Sequence, residues 1–379
     1  MRTYACLALF VGACTAGPAV DGFAGVATEG AAATADVDDD DDDAESTASG
    51  EDDAKLDLGG PSGPGTCADV TAEITPGEAT VTLLIDQSGT MTQTLGGSGL
   101  ARWDAVFQTL LDPAMGVVAG YESDIRFGMT LYTNGMEGGC PDLIEVDPGL
   151  DNRTAMAGAF QMAAPLGDTP TGESLLAAGQ ALAALDDGST KGVILATDGE
   201  PDTCACPNAC AGASKGVAVE AAQQLYDMGI QTFVIAVGDS ITDLEHLQHL
   251  ANVGSGRAAY FDDPMVDEWS DPWVDDVAPA DPAPLFTAND PSALEAAFGS
   301  LIAGFVPCDF VVNGTIEDLQ KACEAGTVTL DGTELACPDD WQVLDASTLT
   351  LVGAACETLQ DGNPHDVEAT FPCDVINVG

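Results

Sequence analysis

Basic residues are nearly missing from this chain of 379 residues: nine lysines and arginines face 63 acids, for a net charge of −54. A chain so charged repels nucleic acid and anionic membrane surfaces, which excludes both as electrostatic partners. Histidine is scarce as well, with only His246, His249 and His365. The first two share a helix face, but no Glu-x-x-His pattern or serine nucleophile surrounds them, so histidine catalysis is not expected. The apolar run near the N-terminus, "YACLALFVGA", is ten residues long and cannot span a bilayer as a helix. The shortage of bases is not confined to a tail. Residues 1–66 hold 14 acids and two bases, so the remaining 49 acids and seven bases still carry −42. Two readings of this acidity stand side by side. One is ordinary secreted acidity. The other is adaptation to a salty medium, where screening limits self-repulsion to about 8 Å or less.

What is present begins with a processed N-terminus. Arg2 and the apolar run have the make-up of a signal core. The run ends in "VGAC", residues 11–14, which resembles a bacterial lipobox. That resemblance implies a signal over residues 1–14, with Cys14 lipidated as the new N-terminus; an ordinary secretion signal is the alternative. A membrane would then be reached only through the lipid, with more than one acyl chain needed for stable anchoring. Residues 15–66 are rich in Ala, Gly, Ser and Asp, with six consecutive aspartates from Asp38 to Asp43. Such a segment buries too little apolar surface to order itself and extends by self-repulsion, so it reads as an acidic spacer. Ten cysteines follow: Cys67, Cys140, Cys204, Cys206, Cys210, Cys308, Cys323, Cys337, Cys356 and Cys373. An even number behind a signal peptide points to disulfides in an oxidising compartment. Zinc at "CACPNAC" is disfavoured, because the paired C-x2-C knuckles are missing and no histidine is near in sequence.

Residues 67–307 alternate between apolar strands and amphipathic helices. Strands are expected at "ATVTLLID", "DIRFGMTLYT", "KGVILATD", "IQTFVIAVG" and the short "AAYF". Helices are expected at "ARWDAVFQTLLDP", "GESLLAAGQALAAL", "SKGVAVEAAQQLYDMG", "ITDLEHLQHLANVG" and "DPSALEAAFGSLIAG". The last has Asp290 as N-cap, Pro291 in its first turn and Gly304 at its end. Strands apolar throughout, separated by helices, imply an α/β fold with a doubly wound, mostly parallel sheet covered on both faces. Residues 308–379 change to short β-prone runs between turn signals, with closely spaced cysteines, and read as a small disulfide-stapled β module.

In such sheets ligands lie outside the carboxyl ends of the strands. Three fragments should meet there: Asp86-x-Ser88-x-Thr90, "GDTPTGESL" at residues 167–175, and "ILATDGEPD" with Asp198. Their carboxylates and hydroxyls are hard oxygen donors suited to Mg²⁺, with Mn²⁺ or Ca²⁺ as alternatives. These residues resemble the metal-ion-dependent adhesion site of the von Willebrand factor A-type domain, whose pattern is D-x-S-x-S, a threonine, then an aspartate. By that resemblance Asp86, Ser88, Thr90, Thr169 and Asp198 form the donor set, with Thr90 replacing the usual second serine. Asp168 stands where glycine is common, adding a charge beside the site. "VIAVG" and "LANVGSGRAAYF" fit later elements of the family, so the resemblance covers about residues 67–306. It implies a non-catalytic adhesion module of the bacterial envelope, binding a protein or other ligand through a carboxylate. Few charged ligands keep such an ion electrophilic. Gly89 is expected to let the chain turn around it.

Two other readings remain. A structural subunit of an envelope assembly would use the same fold without a metal-dependent ligand. A haloacid-dehalogenase-like phosphatase is a remote alternative, since "DQSGT", Thr197, Lys215 and "GDSITD" occur in its order. However, Ser88 replaces the aspartate that would act as general acid, which serine cannot do at neutral pH. The resemblance also implies that the domain's ends lie together, so Cys67 is expected to pair with Cys308. Cys140 is expected to pair with one of Cys204, Cys206 and Cys210, because both loops lie beside strand ends. Cys323–Cys337 and Cys356–Cys373 would staple the β module. The stretch from Phe261 to Pro284 carries Trp269 and Trp273 among acids and prolines. It reads either as a partner loop anchored by the tryptophans or as a solvated loop covering the domain's flank.

Overall fold

The computed structural model describes residues 69–379 except 136–138, 200, 206–210, 240, 242–243, 261–273, 276–278, 362, 364 and 378–379. The expected signal at residues 1–14, the expected linker at 15–66, Cys14, Cys67, Cys206, Cys210, Trp269 and Trp273 lie outside the described residues.

Six strands form the central sheet: β1 (Ala79–Asp86), β2 (Ile125–Thr133), β3 (Asp142–Gly149), β4 (Thr190–Thr197), β5 (Ile230–Val237) and β6 (Leu285–Ala288). Their spatial order is β6-β5-β4-β1-β2-β3. All neighbours are parallel except β3, which runs antiparallel to β2 at the edge. The helices are α1 (Arg102–Leu111), α2 (Arg153–Met162), α3 (Thr171–Ala183), α4 (Ala211–Asp227), α5 (Leu244–Gly254) and α6 (Pro291–Ala303). Successive strand residues point to opposite faces, so apolar runs feed two cores. Val81, Leu83, Ile85, Ile194 and Ile235 pack with Trp103, Phe160 and Phe298 of α1, α2 and α6. Leu84, Val193, Leu195 and Val234 pack with Leu175, Leu225 and Leu250 of α3, α4 and α5. The doubly wound arrangement is therefore a direct result of strands apolar on both faces. Helix α6 starts as expected, with the Asp290 carboxylate accepting from the Ala293 amide at 2.9 Å.

Two expectations change here. The sixth sheet strand is β6, not "AAYF": Ala259–Tyr260 instead pairs in parallel with Val274–Asp275 outside the main sheet. The α/β domain also does not begin at residue 67. Val70–Ala72 pairs with Val367–Phe371, and Ile74–Pro76 pairs with Asp309–Val312. These N-terminal strands complete two four-stranded antiparallel sheets of the C-terminal module, around Trp341, Leu349, Val328 and Phe371. The α/β domain is thus an insertion within the β module. Its two ends meet where the Gly77 amide donates to the Asp309 carbonyl at 2.7 Å.

The disulfides follow this layout. Cys140–Cys204 and Cys323–Cys337 form as expected. Cys308 pairs with Cys356, which excludes the expected Cys67–Cys308 and Cys356–Cys373 bonds. The strand from Asp309 is fixed inside the module, so its preceding cysteine meets the short helix Ala354–Leu359. Cys373 is itself disulfide-bonded. Among the described residues, no helix is long and apolar enough to cross a membrane.

Candidate functional site

Strands β1 and β4 are neighbours, and their successors run to opposite edges of the sheet. The crevice beyond their carboxyl ends is the topological switch point, where open α/β sheets bind ligands. Asp86 ends β1, and Asp198 directly follows β4. Both carboxylates are buried.

Hydrogen bonds join most of the expected donors into one cluster. The Ser88 amide donates to Asp86 Oδ1 at 2.7 Å, and the Thr197 hydroxyl donates to Asp86 Oδ2 at 2.7 Å. Ser88 Oγ and Thr90 Oγ1 lie 2.9 Å apart. The Thr90 hydroxyl donates to Asp198 Oδ1 at 2.7 Å. Ser88 is buried and Thr90 exposed, so the cluster opens to solvent on the Thr90 side. Thr169 is buried two residues before α3, and its described hydrogen bonds run through its backbone to the neighbouring loop, its carbonyl accepting from the Asp202 amide at 2.8 Å, rather than to this cluster.

The loop after β1 turns as a short 3₁₀ segment, Gly89–Thr92. Gly89 does not have a positive φ, and a Cβ there would come no nearer than 3.6 Å to the Gly167 carbonyl. Its expected role as the turning residue therefore passes to the 3₁₀ hydrogen bonds. Gly167 is the glycine with a conformational demand: its φ is +74°, and a Cβ would lie 2.2 Å from Asn134 Oδ1. That close approach lets Asn134 receive the Asp168 amide at 2.7 Å and donate to the Asp168 carboxylate at 2.6 Å. The extra acid at position 168 is thereby held by a side-chain amide at the end of β2.

Sequence reasoning missed Arg102, the first residue of α1. Its Nη1 donates to Asp198 Oδ2 at 2.6 Å, with 2% of the arginine side chain and none of the aspartate side chain exposed. In a folded part with seven bases, an arginine twelve residues after the Asp-x-Ser-x-Thr loop was a signal that could have found it. Thr197 was noted only for the phosphatase alternative and Asn134 was missed; both are uncharged and outside the adhesion-site pattern.

Burial, and then the charge of Asp198, push the Asp86 carboxyl up to about 7, against the hydrogen bonds from Thr197 and Ser88. A nearby cation would reverse that direction. The Arg102 guanidinium pairs with Asp198, so among the described residues Asp86 has only amide and hydroxyl partners. Together with two hydroxyls, this donor set fits a hard divalent cation. Among the described residues, no cluster of three or more His, Cys, Asp and Glu side chains could hold a metal. Any cation here would depend on hydroxyl donors.

The strand order, the antiparallel edge strand and the loops meeting at the switch point give the doubly wound α/β arrangement expected from the resemblance to the von Willebrand A-type domain. No family model and no curated protein matches the sequence. Among solved structures, the chain is similar to the pilus adhesin SpaC from Lactobacillus rhamnosus GG. Identity is 15% over 78% of this chain and 39% of that one, with a TM-score of 0.43. The PilB minor pilin from Streptococcus sanguinis is similar at 15% identity over 61% of each chain, TM-score 0.45. The manganese-loaded Plasmodium vivax TRAP protein is similar at 17% identity over 65% of this chain and 80% of that one, TM-score 0.36. The chain spans about two fifths of the length of SpaC.

Proposed function

We propose that this protein is a metal-dependent adhesion module of the bacterial cell envelope, without catalytic activity. Asp86, Ser88 and Thr90, with Thr169 and Asp198 completing the edge, hold a divalent cation, Mg²⁺ before Mn²⁺ or Ca²⁺. When bound, that ion supplies an electrophilic coordination position for a carboxylate of a protein or other acidic ligand. The chain's own residues position the donors, shield Asp86 from water and leave the Thr90 side open. The observation that carries this reading is the buried Asp86 carboxylate at the switch point, with no ion pair among the described residues, followed in the same loop by the Ser88 and Thr90 hydroxyls 2.9 Å apart. An exported protein anchored through Cys14 accords with disulfides that persist in oxidising compartments.

A second reading has one observation in its favour. Arg102, Thr90, Thr197 and the Ser88 amide already satisfy all four oxygens of Asp86 and Asp198. A purely structural subunit would need no more. Calorimetric titration of the full chain with Mg²⁺ and Mn²⁺, beside Asp86→Ala, decides between them. Saturable binding lost in the variant supports the adhesion site. Equal heats in both proteins, as from the aspartate run alone, favour the structural subunit.

A further inference from the structure

Arg102 is bound to one of the expected metal ligands, and nothing in the adhesion-site pattern calls for it. It occupies Asp198 Oδ2 at 2.6 Å, while the Thr90 hydroxyl occupies Oδ1 at 2.7 Å. Its place is built into the fold. The first residue of α1 aims its guanidinium beneath the end of β5, where Gly238 has a φ of +117°. A Cβ at Gly238 would lie 2.5 Å from Arg102 Nε. Any larger residue there would push the guanidinium away from Asp198. A buried guanidinium is costly to desolvate and is kept only where a paired charge holds it.

We propose that Arg102 is a positioning residue that acts as a built-in counter-cation for Asp198. It holds that carboxylate back from direct coordination and leaves Asp86 as the one charged ligand of the site. The proposal rests on the cation reading above and deepens it. Asp198 reaches the ion through the Thr90 hydroxyl rather than through its own oxygens. One carboxylate plus hydroxyls suits Mg²⁺, which keeps several of its waters, better than Ca²⁺, which gathers six to eight oxygens and favours more carboxylates. An ion with few anionic ligands also keeps more attraction for an outside carboxylate. Arg102 thus trades cation affinity for ligand affinity and for preference toward the smaller ion.

The test is the sign of a change. Removing a positive charge a few ångströms from a dication raises cation affinity, whereas structural damage lowers it. Full-length wild type, Arg102→Gln and Arg102→Lys would be titrated with Mg²⁺ and Ca²⁺, using Asp86→Ala to subtract binding by the aspartate run. Circular dichroism would check the fold. In Arg102→Gln, Ca²⁺ affinity should rise about tenfold or more, and Mg²⁺ affinity by less. Arg102→Lys should return toward wild type. If wild type binds but Arg102→Gln binds no tighter, the proposal is overturned while the cation reading stands. If no protein binds beyond the Asp86→Ala background, both fall. If Arg102→Gln does not fold, Arg102→Lys decides. Its single ammonium cannot reproduce the planar grip, so a moderate rise in Ca²⁺ affinity supports the proposal and a fall overturns it.

Discussion

Asp86 and Asp198 pose a difficulty that any two neighbouring buried carboxylates pose: both cannot be charged without partners. The fold answers with Arg102 and the Thr90 hydroxyl on Asp198, and with the Ser88 amide and the Thr197 hydroxyl on Asp86. Thr197→Val tests how much one such donor matters. Loss of a hydrogen bond to a buried carboxyl should cost about 1–3 kcal/mol, read as a lower unfolding midpoint. His365 offers a pH test away from the site. Its ring lies 2.7 Å from Asp331 Oδ2 and 3.0 Å from Asp361 Oδ1, and these carboxylates hold its pKa above the usual value. The folded state therefore binds the proton more tightly than the unfolded chain. The stabilisation is full below about pH 6.5 and is lost as pH rises through the raised value. His365→Gln should lower the midpoint at pH 5.5 and leave it nearly unchanged at pH 9; a penalty independent of pH would contradict this. At this scale, four of the five residues the sequence pattern groups do meet in one hydrogen-bonded cluster, because three lie within five residues and Asp198 directly follows an unmistakable buried strand. Arg102 was missed because its partner is 96 positions away, and the scarcity of bases was the one signal pointing to it.

Elements with one period repeated over eight or nine residues could be read almost to the residue: β1, β2, β4 and β5 are continuous apolar runs. The missed ones are those that tertiary packing defines. Strand β3 is a half-exposed edge containing Pro148, and β6 has four residues. The strands at Val70–Ala72 and Ile74–Pro76 have three residues each and exist because the C-terminal module pairs with them. Adjacency in sequence suggested the wrong domain for them, and the misassigned disulfides followed from that error. The Cys140–Cys204 bond links the segment after β2 to the segment after β4, and so ties Asn134's loop to that of Asp198 and Asp202. Replacing both cysteines by serine should destabilise the chain by about 2–4 kcal/mol and weaken cation binding with the fold retained. Unchanged affinity on calorimetry would mean the site is organised without that link. Insertion of the α/β domain also implies that disrupting Ile74–Pro76 loosens the module. Ile74→Asp should speed amide exchange in Asp309–Val312 more than in β1.

For the whole molecule, charge dominates. The described ion pairs engage Arg102, Arg126, Arg153, Lys191, Arg257 and Lys321, including Arg126–Glu78, Arg153–Glu122 and Lys191–Asp187, yet the acids far outnumber the bases. Self-repulsion of this size is screened over about 8 Å at physiological salt and about 3 Å at 1 M. The unfolding midpoint should therefore rise with sodium chloride. Binding of an acidic ligand should strengthen with ionic strength too, since screening removes distant repulsion while contact with the ion persists. A fall in either would contradict this picture of the charge. The central claim concerns one position in space, and anomalous scattering from crystals grown with Mn²⁺ tests it most directly. The account predicts a manganese peak within coordination distance of Asp86, Ser88 and Thr90, with Asp198 still on Arg102. Manganese only on surface acids, with the Asp86 cluster unchanged, would contradict it.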